Sequence, residues 1–175
     1  FDKGVTIEFW LKKDAFDTDL TTKEVIFDIW NDEASGQHDY GRVLLSIEKS
    51  PGDPPFILTV YSGSTGFTEK RLGSSEVTEG TLANSSWKHY AITMQNSGSN
   101  FVTKLYVTGT LDDIDESTTA TLGVLPSKTS ASGAMGGRIG ALIAPAPGAT
   151  TTRAGQGKLS ASLDELRFWK VARNP

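Results

Sequence analysis

The feature that most constrains the fold is an alternation of apolar and polar residues with a period of two. Residues 5–13 read VTIEFWLKK, so Ile7, Phe9 and Leu11 share one side of an extended chain. Residues 88–94, which read KHYAITM, alternate in the same way. This pattern is typical of a β-strand with one buried face. No sustained helical repeat occurs, and at most one helical turn is expected, at residues 13–21.

Further β-branched and aromatic runs alternate with turn signals along the rest of the chain. Pro and Gly in SPGDPP, residues 50–55, cannot continue a strand, and NSGSN, residues 96–100, separates two more runs. The acidic run LDDIDES, residues 111–117, is expected to be a solvated loop. Many short strands of this kind predict one domain over residues 1–175, an all-β antiparallel sandwich of two sheets. The further predicted strands are EVIFDIW, RVLLSIE, FILTVYS, FVTKLYV, RIGALIA and LSASLDELRFW.

Composition excludes several classes of function. The net charge is −4 and no basic stripe is visible, so we expect no nucleic-acid partner. No apolar run is long enough to cross a bilayer, which argues against membrane insertion. Because the chain has no cysteine, disulfides, thiolate metal sites and a cysteine nucleophile are excluded. The first residue is Phe1, so we expect a domain excised from a larger protein.

Four motifs in order resemble those of the laminin-G-like, concanavalin-A-like jelly rolls. TIEFWLKK, at residues 6–13, is similar to the first-strand motif of that family, and the hairpin at 85–111 is similar to its central hairpin. GRIGA, at residues 137–141, resembles the strand before the last loop, and residues 157–175 resemble the closing strand. The Asn-Gly turn common in the family is Thr108-Gly109 here, and Gly109 can still supply the positive φ that the turn needs.

The resemblance implies a jelly-roll topology and a non-catalytic module that binds glycan or a protein surface through a loop rim. Such a module would act outside the cell, on a cell surface or on a virion surface. The alternative is a structural decoration or appendage domain of a larger assembly such as a virion, whose partners would be neighbouring protein subunits. A glycoside hydrolase is the third hypothesis, because the wider group includes glucanases.

The carboxylates argue against an enzyme. Glycoside hydrolysis needs two carboxyl groups across the scissile bond, whereas Asp164 and Glu165 are adjacent and point to opposite faces of a regular strand. Glu24 and Asp28 are four residues apart and match no glucanase motif. The structural interpretation of the adjacent pair is a bulge, in which one carboxylate accepts backbone amides and the other pairs with an arginine such as Arg167 or Arg138.

The loop WNDEASGQHDYG, residues 30–41, is the first candidate for a ligand or ion rim. Calcium prefers carboxylate, amide and carbonyl oxygens gathered from loops, and this loop has several of them. Calcium is therefore the candidate cofactor, and resemblance to calcium-binding relatives would also place Asp164 near an ion. The alternative is a solvated acidic loop. The predicted ligand-binding residues are Trp30, Asn31, His38 and Tyr40, and the predicted metal ligands are Asp32, Asp39 and Asp164.

The alternation also predicts the core between the two sheets. Trp10 and Trp169 are out of phase with the apolar faces of their strands, so they are expected to cover a second, smaller core. The residues predicted to be buried together in the main core are Ile7, Phe9, Leu11, Tyr90, Ile92, Leu105, Val107 and Phe168.

Overall fold

The structure is a computed structural model that describes residues 3–16, 23–34, 37, 39–74, 76–118, 134–145 and 154–174. The described part contains ten strands and one short helix, in an order that follows the alternating runs of the sequence. These elements are β1 (Val5–Lys12), β2 (Lys23–Trp30), β3 (Gly41–Glu48), β4 (Phe56–Ser62), β5 (Thr65–Leu72), α1 (Glu79–Leu82), β6 (Lys88–Ser97), β7 (Asn100–Val107), β8 (Thr110–Thr118), β9 (Gly136–Ile139) and β10 (Ser162–Trp169).

Within the described residues, the strands form two five-stranded antiparallel sheets packed face to face. Sheet A has the order β10-β1-β6-β7-β8, and sheet B has the order β5-β4-β3-β2-β9. Ring contacts between the sheets fix which strands face each other. Phe56 of β4 packs edge-on against Tyr90 of β6 at 5.0 Å, and Phe67 of β5 packs against Phe101 of β7 at 6.1 Å. The predicted sandwich and its jelly-roll topology are confirmed.

The core lies between the inner faces of the two sheets, as the alternation predicts. Phe9 has no exposed surface, and its ring contacts both Phe56 and Tyr90. Val107 is half-buried and packs against this cluster. Six of the residues predicted for the core are therefore confirmed as buried: Ile7, Phe9, Leu11, Tyr90, Ile92 and Leu105.

Phe168 is a correction, because 46% of this residue is exposed. It lies on β10, which ends sheet A among the described strands, so within the described residues it has a neighbouring strand on one side only. Its ring packs edge-on against Phe27, with 5.7 Å between centroids, and no described strand pairs with the other edge of β10. Alternation predicted the correct face here, but it could not show that the strand stands at an edge.

Three local predictions are also corrected. The acidic run LDDIDES belongs to strand β8, which pairs with β7 along its length. The helical turn lies at Glu79–Leu82, where Thr78 caps it through a hydrogen bond from Thr81 N, whereas residues 13–16 are not helical and residues 17–21 lie outside the described part. The second core consists of Val25, Leu44 and Leu142, without Trp10 or Trp169.

The outer face of sheet B is covered by the segment that follows β9. Beneath it, the Arg42 guanidinium donates hydrogen bonds to both carboxylate oxygens of Asp28, at 2.9 and 2.6 Å, and to the carbonyls of Ala144 and Pro145. The second oxygen of Asp28 also accepts from the amide of Ile143. Burial lowers the pKa of Arg42, but the hydrogen bonds and charge of Asp28 outweigh it and leave that pKa raised. This buried pair anchors the segment to the sheet.

A second buried ion pair joins the end of β1 to the start of β2. The Lys13 ammonium lies 2.7 Å from Glu24 Oε1, and it also donates to the carbonyl of Ser160. Glu24 in turn accepts from the amide of Ser160. Glu24 and Asp28, the carboxylates spaced four apart in the sequence, therefore each belong to a separate structural ion pair.

Candidate functional site

The amide of Asn31 and the ring of Tyr40 belong to the interior of the 30–41 loop. Asn31 Oδ1 accepts a hydrogen bond from the amide of Gly41 at 2.8 Å, and Nδ2 donates to the carbonyl of Asp39. Tyr40 is 2% exposed and its ring contacts that of Tyr61. Burial raises the pKa of the Tyr40 phenol. These two predicted ligand-binding side chains therefore hold the loop in shape, and neither is presented at the surface.

The other predicted residues of this loop lie closer to solvent. Trp30 is half-buried, and its indole nitrogen donates to the carbonyl of Glu33 at 2.8 Å. Asp32 is exposed in a left-handed backbone conformation, with φ of 66°, and Asp39 is half-buried. His38 lies outside the described residues. Among the residues that the structure describes, no cluster of three or more histidines and carboxylates is placed to hold a metal ion.

Asp164 lies in the other sheet, where β10 bulges. The register of β1 against β10 shifts between Glu8 and Trp10, and Glu165 takes a positive φ of 50°. Asp164 Oδ1 accepts a hydrogen bond from the amide of Glu165, and Glu165 lies 3.2 Å from Arg167. The bulge interpretation of the adjacent acidic pair is confirmed. The structure does not bring Asp164 to the loop that contains Asp32 and Asp39.

The outer face of sheet A, which faces away from the core, carries a different set of side chains. The register of the strands arranges them in rows across the sheet. Ala91 of β6 stands at the centre, between Glu8 of β1 and Tyr106 of β7. Because its neighbours are all larger, the small side chain of Ala91 leaves a depression. The flanking rows are Trp169, Thr6, Thr93 and Lys104 on one side and Asp164, Trp10 and His89 on the other.

A cavity of about 210 Å³ occupies this depression. One wall is the turn between β7 and β8, where Thr108 and Gly109 both have positive φ, at 50° and 79°, as a two-residue hairpin requires. The prediction for Gly109 is therefore confirmed. The cavity is lined by Thr6, Glu8, His89, Ala91, Thr93, Tyr106, Gly109, Arg173 and Asn174.

The segment after β10 crosses the start of β1 and forms the opposite wall. Ala172 donates from its amide to the carbonyl of Lys3, and it packs so closely on Gly4 that a Cβ at Gly4 would lie 2.5 Å from that of Ala172. Thr6 Oγ1 donates to the carbonyl of Val171 and accepts from the amide of Arg173. These contacts place the Arg173 side chain over the outer face of the sheet.

Glu8 is the carboxylate of this cavity, and two arginines hold it. Its side chain is 10% exposed; Arg173 Nη1 lies 3.1 Å from Oε2, and Arg167 Nη1 lies 3.6 Å from Oε1. The Arg173 guanidinium also stacks over the ring of Trp169, at 4.3 Å from the centroid. Glu8 therefore has a defined orientation, and its charge is paired with both arginines.

Three further residues in the wall have hydrogen-bonding capacity that the described part of the fold does not use. In the part of the chain that the structure describes, neither the hydroxyls of Thr93 and Tyr106 nor the ring nitrogens of His89 make a hydrogen bond. The imidazole of His89 instead contacts the ring of Trp10, with 5.3 Å between centroids. Polar groups that line a cavity and have no partner in the fold are available to a ligand.

Sequence reasoning missed the residues of this cavity, although one feature of the sequence pointed to the face on which it lies. Trp10 and Trp169 are aromatic residues on the polar side of their strands. Two such aromatic residues on one outer face draw attention to that face, although single exposed aromatic residues are common on protein surfaces. The rest could not be found from the sequence, because Glu8 and Arg173 are 165 positions apart.

A comparison with protein-family models shows to which family the chain belongs. The family model described as concanavalin A-like lectin/glucanases superfamily, of the laminin G type, matches residues 2–175. The chain belongs to this superfamily. No curated protein sequence matches this member of the superfamily significantly. Among solved structures, it is similar to the botulinum neurotoxin type G receptor binding domain, with a TM-score of 0.51 and 13% sequence identity. That alignment covers 98% of this chain and 36% of the neurotoxin chain, and at such low identity it shows the fold alone.

Proposed function

We propose that this superfamily member is a non-catalytic binding module that recognises glycan through the outer-face cavity of sheet A. The observation that carries the proposal is a group of side chains, Thr93, Tyr106 and His89, that make no hydrogen bond within the described residues and lie beside the oriented carboxylate of Glu8. The fold fits a binding module, and the neurotoxin domain with the same fold is named for receptor binding. A fold hosts many functions, so the cavity and not the fold supports the choice.

The absence of catalysis is part of the proposal, and the carboxylates support it. Hydrolysis of a glycosidic bond generally uses two carboxyl groups about 5 to 9.5 Å apart, one of which protonates the leaving oxygen. Among the described cavity residues, Glu8 is the carboxylate, and Arg167 and Arg173 surround it. Asp164 closes a bulge, and Glu24 and Asp28 are in buried ion pairs.

We place the module outside the cell or on a cell or virion surface, where glycans are displayed. Within the described residues, no helix has both the length and the apolar character required to cross a bilayer. Calcium at the 30–41 loop remains a separate proposal, supported by the exposed carboxylate of Asp32 and the half-buried Asp39 seven positions later in the same loop.

The test is a glycan array probed with the purified domain, alongside an assay for release of sugar from β-glucans. We expect binding to a subset of the array and no hydrolysis. The Ala91→Leu variant fills the centre of the cavity and should lose the array signal while retaining its thermal midpoint. Hydrolysis that disappears in a Glu8→Gln variant, or an array signal unaffected by Ala91→Leu, would contradict the proposal.

A structural role in a larger assembly is the second candidate, and exposed apolar side chains at one edge of the sandwich favour it. Met135, Ile139 and Phe168 are 50%, 60% and 46% exposed, and they line a cavity beside β9 and β10. Large exposed apolar groups mark sites of protein association. Under this role, the Phe168→Ser/Ile139→Ser variant should remove self-association or subunit binding measured by analytical ultracentrifugation, without affecting the glycan array.

A further inference from the structure

We infer that the ligand of the outer-face cavity is a single uncharged ring bearing several hydroxyls, as in one neutral monosaccharide residue of a glycan. This inference rests on the proposed function and names the ligand class of the same site. It comes from three properties of the cavity, which are its size, its charge balance and the kind of hydrogen-bonding groups that remain free.

The size of the cavity admits one ring. Its volume of about 210 Å³ lies below the range of about 300 to 1,000 Å³ found for sites that enclose drug-sized ligands. Its depth depends on Ala91, since the residues that pair with it across the sheet, Glu8 and Tyr106, both have larger side chains. An extended oligosaccharide would place only one of its residues in this depression.

The charges of the cavity are already paired with each other. Arg173 and Arg167 both lie within ion-pair distance of Glu8, and Arg167 also pairs with Glu165. Glu8 and Arg173, the carboxylate and the guanidinium that line the cavity, sum to no net charge. An anionic ligand could bind an arginine only by breaking its ion pair with Glu8, and a cationic ligand could bind Glu8 only by breaking the same ion pairs. In either case the loss of the ion pair would offset part of the binding free energy.

A hydroxyl avoids this competition. It can donate to a lone pair of Glu8 that the arginines leave free, and accept from a guanidinium N–H in the same contact, because a hydroxyl has one donor and two acceptor sites. Hydrogen bonds to charged groups are also the stronger ones. The hydroxyls of Thr93 and Tyr106 add groups that donate or accept as required, and His89 adds a ring nitrogen of each kind when neutral.

The walls also offer apolar surface to the C–H faces of a ring. The imidazole of His89 is backed by Trp10, and the guanidinium plane of Arg173 is backed by Trp169. Aromatic and guanidinium planes contact apolar surface while their polar edges stay available for hydrogen bonds. A ring that carries hydroxyls at its edge and C–H groups on its faces matches both features.

The experiment is a titration followed by NMR, with methyl glycosides of neutral hexoses as one set of probes and sialic acid and sulfated glycosides as the other. We expect saturable binding of at least one neutral glycoside and weaker binding of the charged probes. Ala91→Leu should reduce that affinity about tenfold or more by filling the depression. Val102→Leu, on the same face of β7 but outside the cavity, is the matched control and should bind normally.

Two isosteric variants keep the inference falsifiable if Ala91→Leu does not fold. Tyr106→Phe removes one hydroxyl and should weaken neutral glycosides severalfold. Glu8→Gln should also weaken them, since it removes the charged acceptor, whereas it should strengthen an anionic ligand by removing a negative charge. Preferential binding of charged probes, strengthened by Glu8→Gln, would overturn the inference of a neutral ring. The proposal that the cavity binds glycan would still hold. Failure of every glycan on the array would overturn both.

Discussion

The loop of residues 30–41 and the outer-face cavity of sheet A are both rich in polar side chains, but those side chains serve different ends. In the loop, both ends of the Asn31 amide bond the backbone, and Tyr40 is packed against Tyr61. In the cavity, the hydroxyls of Thr93 and Tyr106 contribute no hydrogen bond to the described fold. Residue type alone therefore does not identify a binding site, and the better guide is a hydrogen-bonding group that the described fold leaves unpaired and that also lines a cavity, unlike the buried hydroxyl of Tyr40.

The largest expected effect on stability comes from disrupting the buried ion pair of Asp28 and Arg42, which lies beside the loop. Asp28→Ala leaves the Arg42 guanidinium buried without its carboxylate, and we expect the free energy of unfolding to fall by about 3 to 5 kcal/mol. Denaturant unfolding measures this. Glu33→Gln, an exposed carboxylate at the same end of sheet B, is the control and should leave stability nearly unchanged. A loss below 1 kcal/mol for Asp28→Ala would show that the pair does not anchor this region.

Calcium binding at the 30–41 loop is expected to give the next largest effect on stability. An ion that binds only the folded state stabilises it by about 2.7 kcal/mol at a free concentration of 100 times Kd. We expect calcium to raise the thermal midpoint of the wild type relative to chelator, and to leave the Asp32→Ala/Asp39→Ala variant unaffected. Magnesium at equal ionic strength is the control. If calcium leaves the wild-type midpoint unchanged, the ion has no part in this loop.

A substitution at Asn31 tests whether this single side chain stabilises the 30–41 loop. Asn31→Ala leaves the amide of Gly41 without its acceptor, and we expect a loss of about 1 to 3 kcal/mol in the free energy of unfolding. Affinity for a glycan that binds the cavity should not change, because the two regions share no residue. A variant that keeps its stability but loses glycan binding would move the recognition site to the loop.

The smallest expected effect on stability belongs to the cavity. Tyr106→Phe removes a hydroxyl that bonds nothing in the described fold, so the free energy of unfolding should change by less than about 0.5 kcal/mol. Chemical denaturation with the parent protein in parallel measures the difference. A loss greater than 1 kcal/mol would mean that the hydroxyl has a structural partner, and the contrast between the two regions would weaken.

Sequence reasoning predicted the fold well, because alternation is a local property of the chain. It assigned the inner faces of β1 and β6, and the adjacency of Asp164 and Glu165 predicted the bulge of β10. It failed for Phe168 because exposure there depends on which strand ends the sheet. It missed the cavity because the depression at Ala91 depends on the register of three strands and on Arg173, which returns from the far end of the sequence.

The central claim is that recognition takes place on the outer face of sheet A and not in the 30–41 loop. The most direct measurement is the change in backbone amide chemical shifts of the labelled protein on titration with the neutral methyl glycoside that binds best. The account predicts that the largest shifts occur at residues 89–93 and at Tyr106, with Asn31 and Tyr40 unchanged. Shifts concentrated at residues 30–41, with Ala91 and Tyr106 unaffected, would contradict it.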